Sequence, residues 1–417
     1  MRILLALVFG LAAGGAAAAL AIAPDGPVVT VAQLVGGLWV DGLRMTIVPL
    51  VFGLIVSGIC AAGEAAAAGA IARRALILFA VLLLLAGGFA AVATPALLAL
   101  WPIPAGAVDA FRAGLGAAAA PHAVPPAAEW VRQIVPTNPV AAAAEGAMLP
   151  LVLFALIFGF AAARQAPEPR RRIAGLFEAI VGVMMTIVHW VLLVAPLGVF
   201  ALAFLLGVRT GFGAIGGLIH YVALISFLCV GVTVLMYGWV AWFGRASVSA
   251  FARAAWPAQA VAFSTQSSLA SLPAMVEGAR DRLNAPEAVS NIVLPLAVSL
   301  FRITSPAANL GVALYLAHLA GVEVSLWQIA AGAVVAAAVS LASVGLPSQV
   351  SFLSVVAPVC ITVGAPVEML GILLAVETIP DIFRTVGNVT ADIAAVASIG
   401  IEGDDEPPGQ DSAPVSA

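Results

Sequence analysis

The chain has 417 residues, of which 63% are hydrophobic and only 9% are charged, and its formal net charge is −4. A soluble domain carries about 25% charged residues, so this composition excludes a soluble globular protein, a disordered chain and a nucleic-acid binder. The apolar residues form long runs near the ~20 residues that a helix needs to cross a bilayer, without the short-period alternation of a transmembrane β-barrel. The sequence therefore predicts an all-α polytopic membrane protein.

Six apolar runs in the first part of the chain predict membrane-spanning helices. We place them at residues 3–23, 42–62, 75–101, 140–163, 174–207 and 214–243. Beyond them the pattern becomes irregular, because polar residues and Pro interrupt the apolar segments 255–276 and 327–363, which are followed by the runs 287–320 and 367–400. The remaining tail, 401–417, is polar and contains Pro, so we expect it to be disordered.

Arginine placement predicts the orientation, since all seventeen basic residues are arginine. Most of them fall on one side of the membrane if the N-terminus is cytoplasmic: Arg2, Arg73, Arg74, Arg164, Arg170, Arg171, Arg172, Arg245, Arg253, Arg280 and Arg282. Arg112, Arg132 and Arg209 fall on the other side, with Arg44 as a further candidate. The positive-inside rule then predicts a multi-pass protein of the cytoplasmic (inner) membrane with both termini in the cytoplasm.

The two interrupted segments resemble each other. Residues 267–273 and 340–347 each contain a run of small residues that ends in Leu-Pro, and each precedes a helix with an arginine, Arg302 or Arg384. Paired Pro-interrupted segments are typical of a substrate site built from inverted repeats, because freed backbone groups are tolerated only inside protein or a water-filled cavity. The alternative is a chance match among abundant Ala, Ser and Leu.

The last helix carries the strongest single pattern. Asp381, Arg384, Thr385, Asn388 and Asp392 have the spacing i, i+3, i+4, i+7 and i+11, which puts them on one helix face, and Glu377 extends the stripe. Ionisable groups inside a membrane span are unfavourable by roughly 2.5–3.5 kcal/mol each, so they usually mark a pathway or a site. A structural network of ion pairs is the alternative.

At these residues the sequence resembles the dicarboxylate/amino acid:cation symporters, the glutamate/aspartate transporter family. The resemblance extends over most of the chain. It is carried by Met45–Phe52, Ile134–Pro139, Ala195–Ala201, Ser267–Pro273, Leu294–Leu296, Gly345–Pro347 and Asp381–Asp392. It implies a secondary active transporter and not an enzyme.

The resemblance also implies an elevator fold with inverted repeats, eight transmembrane helices and two re-entrant helical hairpins, assembled as a homotrimer. The implied scaffold comprises residues 1–73 (spans 1 and 2) and 140–210 (spans 4 and 5). The implied transport domain comprises span 3 at 74–101, and span 6, hairpin 1, span 7, hairpin 2 and span 8 within 211–400. Residues 102–139 would form an external loop, and 401–417 a cytoplasmic tail.

By the same resemblance, Arg384 would bind the side-chain carboxylate of the substrate and Asp381 its α-amino group. Thr385 and Asn388 would contact the amino and α-carboxylate groups. The remaining candidates for substrate binding are Ser267, Ser268, Ser305 and the backbone near Leu346. A guanidinium suits this role, because it grips a carboxylate with two parallel hydrogen bonds.

The chain departs from the family in span 7. Where relatives usually carry Asn-Met-Asp-Gly-Thr, this chain has Phe301-Arg302-Ile303-Thr304-Ser305. Asp392 resembles a sodium-binding aspartate, so it is the one candidate sodium ligand, and no metal site is assigned. We therefore treat Arg302, Asn388 and Asp392 as cation-coupling residues. Arg302 would act as a tethered cation for Asp392, with direct substrate binding and a structural ion pair as alternatives.

The function predicted is transport of an acidic amino acid of the aspartate or glutamate type. The coupling ion is sodium or a proton, and no cofactor is expected. The alternative within the family is a C4-dicarboxylate symporter. An intramembrane enzyme is disfavoured, because Asp381 and Asp392 lie about 16 Å apart along one helix, and a channel rarely pairs Asp with Arg in one pocket. The expected partners are the acidic substrate, membrane lipids and further copies of the chain, with no nucleic acid.

Overall fold

The computed structural model describes residues 2–20, 26–67, 69–104, 106–108, 135–210, 214–244, 246–342 and 348–399. Within these ranges the regular structure is helical and no strand occurs. Seven helical stretches of the described chain are long and apolar enough to cross a membrane, and four shorter apolar helices accompany them. The protein is therefore a multi-pass α-helical membrane protein, as the composition predicted.

The first half contains seven described helices, which we number in chain order. They are α1 (Arg2–Ala19), α2 (Pro27–Ala67), α3 (Ala70–Leu100), α4 (Pro139–Ala144), α5 (Met148–Ala163), α6 (Pro167–Leu193) and α7 (Ala195–Thr210). Helix α2 begins well before the predicted start at residue 42, and its 41 residues exceed what one bilayer crossing requires. The predicted span 174–207 was wrong as one helix, because the chain breaks at Val194, two residues before Pro196, whose ring disfavours an uninterrupted helix.

The second half contains the interrupted segments. Its described helices are α8 (Ala214–Phe243), α9 (Val248–Thr265), α10 (Ser268–Leu283), α11 (Glu287–Leu300), α12 (Thr304–Ala320), α13 (Leu326–Ala342), α14 (Ser348–Val363), α15 (Leu370–Leu373) and α16 (Thr378–Ile399). A short 3₁₀ turn, Val367–Met369, precedes α15, and residues 374–377 form turns before α16.

The first interrupted segment is a helical hairpin. Helices α9 and α10 pack along each other and are joined by only Gln266 and Ser267. Gln266 has a φ of 53°, in the left-handed region that ends a helix, and the Ser267 side chain accepts a hydrogen bond from the Ala270 N–H at the start of α10. Helices α13 and α14 also pack on each other, but their connection, with Leu346, lies outside the described residues.

The predicted run 287–320 is divided into α11 and α12 by the non-helical residues Phe301, Arg302 and Ile303. Proline explains the break. Pro306 has no N–H to donate to the Arg302 carbonyl four residues earlier, and its ring would clash there in a continuous helix. The Ser305 N–H binds the Arg302 carbonyl instead, at 3.0 Å. The chain thus places an arginine at a backbone break between two apolar helices.

Helix packing divides the described helices into two groups. In the first, α1 packs on α7, and α2 packs on α5, α6 and α7. Small residues allow the first of these contacts, since a Cβ on Gly207 of α7 would lie 2.8 Å from the Leu11 carbonyl of α1. In the second group, α3, α8 to α14 and α16 pack on one another. Helix α2 joins the groups, because it also contacts α3, α13 and α14.

Candidate functional site

Helix α16 carries its polar side chains on a buried face. Asp381, Arg384, Thr385 and Asn388 are 6–8% exposed, and Asp392 is fully buried. Helices α8, α9, α10, α11 and α12 all pack against α16, so the stripe faces protein and not lipid. Polar groups in such a position need polar partners or a ligand.

The break before α12 supplies the first set of partners. The N–H of Thr304, at the start of α12, donates to Asn388 Oδ1 at 3.0 Å. The Thr304 hydroxyl lies 2.8 Å from the same oxygen and 3.0 Å from the Arg384 carbonyl oxygen, so it can donate to either. The first N–H groups of a helix have no partner within the helix. Asn388 therefore satisfies a group that the break exposes, and this contact fixes α12 against α16.

Arg384 is held by two side chains, those of Asn309 and Glu377. Its Nη1 donates to Asn309 Oδ1 of α12 at 3.0 Å. Its Nη2 lies 2.6 Å from Glu377 Oε1, a close ion pair whose angle is outside hydrogen-bond geometry. The other oxygen of Glu377 accepts a hydrogen bond of 2.6 Å from the Tyr221 hydroxyl of α8. The guanidinium charge is therefore neutralised by a carboxylate of the same chain.

Asp392 lies deeper along the same helix face. Both of its carboxylate oxygens are buried, and neither has a hydrogen-bond partner among the described residues. The half-buried Arg302 is within electrostatic range of Asp381 and Asp392. Within the described part of the chain, no ion pair within 4.0 Å joins Arg302 to Asp392, whose two oxygens have no hydrogen-bond partner. The expected direct pair between Arg302 and Asp392 is thus not formed.

The other predicted residues lie around this centre. Ser305 is 8% exposed, and the Thr385 hydroxyl donates to the Asp381 carbonyl one turn earlier, at 2.9 Å. Ser267 and Ser268 are half-buried at the start of α10, which packs on α16. Among the described residues, no hydrogen bond joins these two serines to the α16 stripe. Leu346 lies outside the described residues.

Sequence reasoning missed three partners of the stripe. Asn309 and Tyr221 were assigned no role, and Glu377 was placed on the stripe without one. Asn309 could have been found, because a fully buried amide inside an otherwise apolar span requires a partner. The pairing of Tyr221 with Glu377 had no local signal, because these residues are 156 positions apart.

Comparison with known proteins identifies a family and several relatives. The sequence profile of the sodium:dicarboxylate symporter family matches residues 1–400. The chain is 28% identical over 406 residues to a proton/glutamate-aspartate symporter of Escherichia coli strain K12, covering 95% of this chain and 91% of that protein. It is 28% identical over 389 residues to a proton/sodium-glutamate symport protein of Bacillus subtilis strain 168, covering 90% of this chain and 87% of that protein.

A second kind of relative carries a different substrate name. The chain is 27% identical over 368 residues to a C4-dicarboxylate transport protein of Rhodopseudomonas palustris, covering 87% of this chain and 81% of that protein. The family match over nearly the whole chain, the apolar helices and the buried polar stripe lead to one conclusion. The chain belongs to the sodium:dicarboxylate symporter family, and it is a secondary transporter of the membrane and not an enzyme.

Proposed function

We propose that this chain carries an acidic amino acid of the aspartate or glutamate type across the cytoplasmic membrane. The observation that carries the proposal is the buried pair of opposite charges, Asp381 and Arg384, one turn apart on α16. An amino acid is a zwitterion, so a site for it needs both signs close together. The relative in Escherichia coli is named for glutamate and aspartate.

Each residue of the stripe has a role in this proposal. Arg384 binds the side-chain carboxylate through two parallel hydrogen bonds, and Asp381 binds the α-ammonium group. Thr385 and Asn388 contact the amino and α-carboxylate groups. The first hairpin contributes Ser267 and Ser268, and the second contributes the backbone near Leu346. Ser305, at the start of α12, completes the enclosure.

Transport would proceed by an elevator movement within a homotrimer of eight-span protomers with cytoplasmic termini. The two groups of packed helices support this division. The first group would be the scaffold, and α3 with α8 to α16 would be the transport domain. Because α2 joins the groups through α3, α13 and α14, the movement would slide these helices past α2.

Transport would not be coupled to sodium. It would be driven by a proton or would proceed as an exchange of substrates. Asp392 is the only member of the stripe without a polar partner in the described part of the chain. A sodium ion needs several oxygen ligands, but Asn388 Oδ1 is already bound to Thr304. By the family resemblance, Phe301 and Ile303 stand where relatives carry the Asn and Asp that help hold sodium, and Arg302 between them brings a positive charge near Asp392.

A C4-dicarboxylate is the second candidate substrate. The specific observation in its favour is Arg302, because a second guanidinium near Asp381 could hold a second carboxylate in place of an ammonium group. Several relatives are named C4-dicarboxylate transport proteins.

The decisive experiment is uptake into proteoliposomes that contain the full chain. Radiolabelled L-aspartate, L-glutamate and succinate are offered separately, and sodium and pH gradients are imposed independently. The proposal expects saturable uptake of aspartate that follows the pH gradient and persists without sodium. Preference for succinate supports the second candidate, and flux that does not saturate contradicts both.

A further inference from the structure

We infer that Glu377 is a resident carboxylate that pairs with Arg384 in the empty transporter. The substrate carboxylate displaces Glu377 from Arg384. Glu377 would thereby link each substrate molecule to one proton. The inference rests on the proposed role of Arg384 as the carboxylate-binding group. It assigns to Glu377 a function that the substrate-binding stripe does not include.

The geometry is that of an occupied binding site. Glu377 Oε1 lies 2.6 Å from Arg384 Nη2, and Oε2 accepts the Tyr221 hydroxyl at 2.6 Å. The Glu377 side chain is 3% exposed, and that of Arg384 is 9% exposed. A carboxylate of this chain thus contacts the guanidinium that would bind a substrate carboxylate, through one close ion pair in place of two parallel hydrogen bonds.

Electrostatics makes the two carboxylates competitors. A substrate carboxylate on Arg384 would bring a second negative charge next to Glu377, and like charges at such distances disfavour joint ionisation. Asp381 adds a further carboxylate within range of Glu377, while Arg384 and Tyr221 stabilise its ionised form. The Cys229 thiol of α8 also lies within range. A substrate carboxylate on Arg384 therefore disfavours the ionised form of Glu377, and protonation lets Glu377 leave Arg384.

Glu377 can move its carboxyl group by side-chain rotation, while its carbonyl oxygen keeps its hydrogen bond from the Asp381 N–H at 3.0 Å. It is the last residue of the turns at 374–377 and precedes the regular helix α16, which carries Arg384. Its carboxyl group can therefore turn away without unwinding the helix.

The proton balance is simple. When substrate binds, Glu377 takes one proton from water and becomes a neutral acid, while Arg384 exchanges one carboxylate for another. When substrate leaves, Glu377 releases the proton and pairs with Arg384 again. The empty transporter can therefore return with a neutralised arginine, which a low-dielectric environment requires.

The test compares net uptake with exchange for Glu377→Gln in proteoliposomes. Glutamine resembles a permanently protonated Glu377. Exchange of external labelled L-aspartate for internal unlabelled L-aspartate should persist within about threefold of wild type, because substrate can still bind Arg384. Net uptake into empty vesicles should fall by about tenfold or more, because the empty transporter must return with an uncompensated arginine. The pH dependence of half-saturation in exchange should also weaken, leaving only the part that Asp392 contributes.

A second variant keeps the test decisive if Glu377→Gln does not fold. Tyr221→Phe retains the ring and Glu377 but removes the hydrogen bond to the ionised carboxylate. Losing that bond favours the protonated form, so the pH of half-maximal net uptake should move upward by about one unit. Glu323→Gln, an exposed carboxylate in the loop before α13, is the matched control and should behave as wild type.

Three results would count against the inference or against the proposed function on which it rests. Wild-type net uptake in Glu377→Gln overturns the inference and leaves the proposed function intact. Equal loss of exchange and net uptake, with an unshifted pH profile in Tyr221→Phe, also overturns it and identifies a structural ion pair. If the wild-type chain moves neither aspartate nor succinate, the proposed function itself fails.

Discussion

At the scale of single residues, the buried stripe of α16 combines polar groups that have hydrogen-bond or ion-pair partners with a carboxylate that has no hydrogen-bond partner among the described residues. Asn388 is bound by Thr304, and Arg384 by Glu377 and Asn309. Asp392 has no hydrogen-bond partner among the described residues. Buried polar groups without partners are rare in proteins and call for an explanation such as a bound ion or a functional role. The carboxylates of the stripe and the arginine near them are therefore the residues to test.

The first prediction separates an ammonium-binding role of Asp381 from a structural one. Asp381→Asn removes the negative charge but keeps the size and the polarity of the side chain. A charge-assisted hydrogen bond contributes about 1.5–3 kcal/mol, so half-saturation for L-aspartate should rise by roughly 10- to 100-fold. Succinate has no ammonium group, and its transport in the same variant is the control. An equal loss for both substrates would assign Asp381 to the fold.

The second prediction concerns Arg302 as a cation that acts on Asp392 without touching it. Arg302→Met removes the nearby positive charge and leaves a buried carboxylate uncompensated, so uptake should fall by about tenfold or more. Adding Asp392→Asn removes that charge and should restore part of the uptake. The measurement is sodium-free aspartate uptake in proteoliposomes.

Two outcomes would contradict this role of Arg302. One is uptake by the wild-type chain that depends strictly on sodium. The other is a double variant that remains as inactive as Arg302→Met.

At the scale of helices, the site depends on the close approach of α16 to α12 and α8. Gly387 lies on the face of α16 that meets both helices. A Cβ at this position would overlap the Thr304 methyl group and lie 2.9 Å from Thr233 Oγ1. The Thr304 hydroxyl holds Asn388 on the same face. The separation of these helices and the geometry of the site are therefore coupled through one glycine.

The third prediction tests this coupling. Gly387→Ala should push α12 away from α16, lower the thermal unfolding temperature in detergent and reduce uptake, since overpacking a core typically destabilises by about 1–3 kcal/mol. Gly238→Ala is the matched control, because nothing lies within 4 Å of a Cβ at this exposed position of α8. Alanine there should be neutral or slightly stabilising. Equal behaviour of the two variants would show that the helix contact is adaptable.

At the scale of the whole molecule, α2 joins the two groups of packed helices. Arg44 of α2 forms an ion pair with Glu368, in the 3₁₀ turn that follows α14. Both side chains are more than a third exposed, so this pair contributes little to stability. The pair matters because of its position, since it bridges the proposed scaffold and the proposed transport domain.

The fourth prediction follows from that position. In the double variant Arg44→Cys and Glu368→Cys, a flexible bifunctional thiol reagent should link α2 to the turn after α14. If the groups must slide past each other, the linked protein should lose at least about nine tenths of its uptake while still binding aspartate. Each single variant treated with the same reagent is the control, since the native Cys60, Cys229 and Cys360 are buried. Full uptake by the linked protein would exclude this movement.

The sequence by itself determined the class of the protein and the content of its main helix. Composition and run length predicted a polytopic helical membrane protein, because the bilayer restricts spanning structures so strongly. The spacing from Asp381 to Asp392 predicted one polar face, because helical periodicity is a local property. The helical hairpin at Ser267 was also indicated locally, because small residues and Pro interrupt the apolar pattern there.

Only the tertiary structure decided which groups meet. It divided the run 287–320 at Arg302 and paired Arg384 with Glu377 and Asn309. It also joined Glu377 to Tyr221 and kept Arg302 out of ion-pair distance of Asp392, against expectation. A sequence pattern shows which residues share a helix face, but it does not show which other helix that face contacts. The partner of a buried charge is chosen by the packing of helices that lie far apart in the chain.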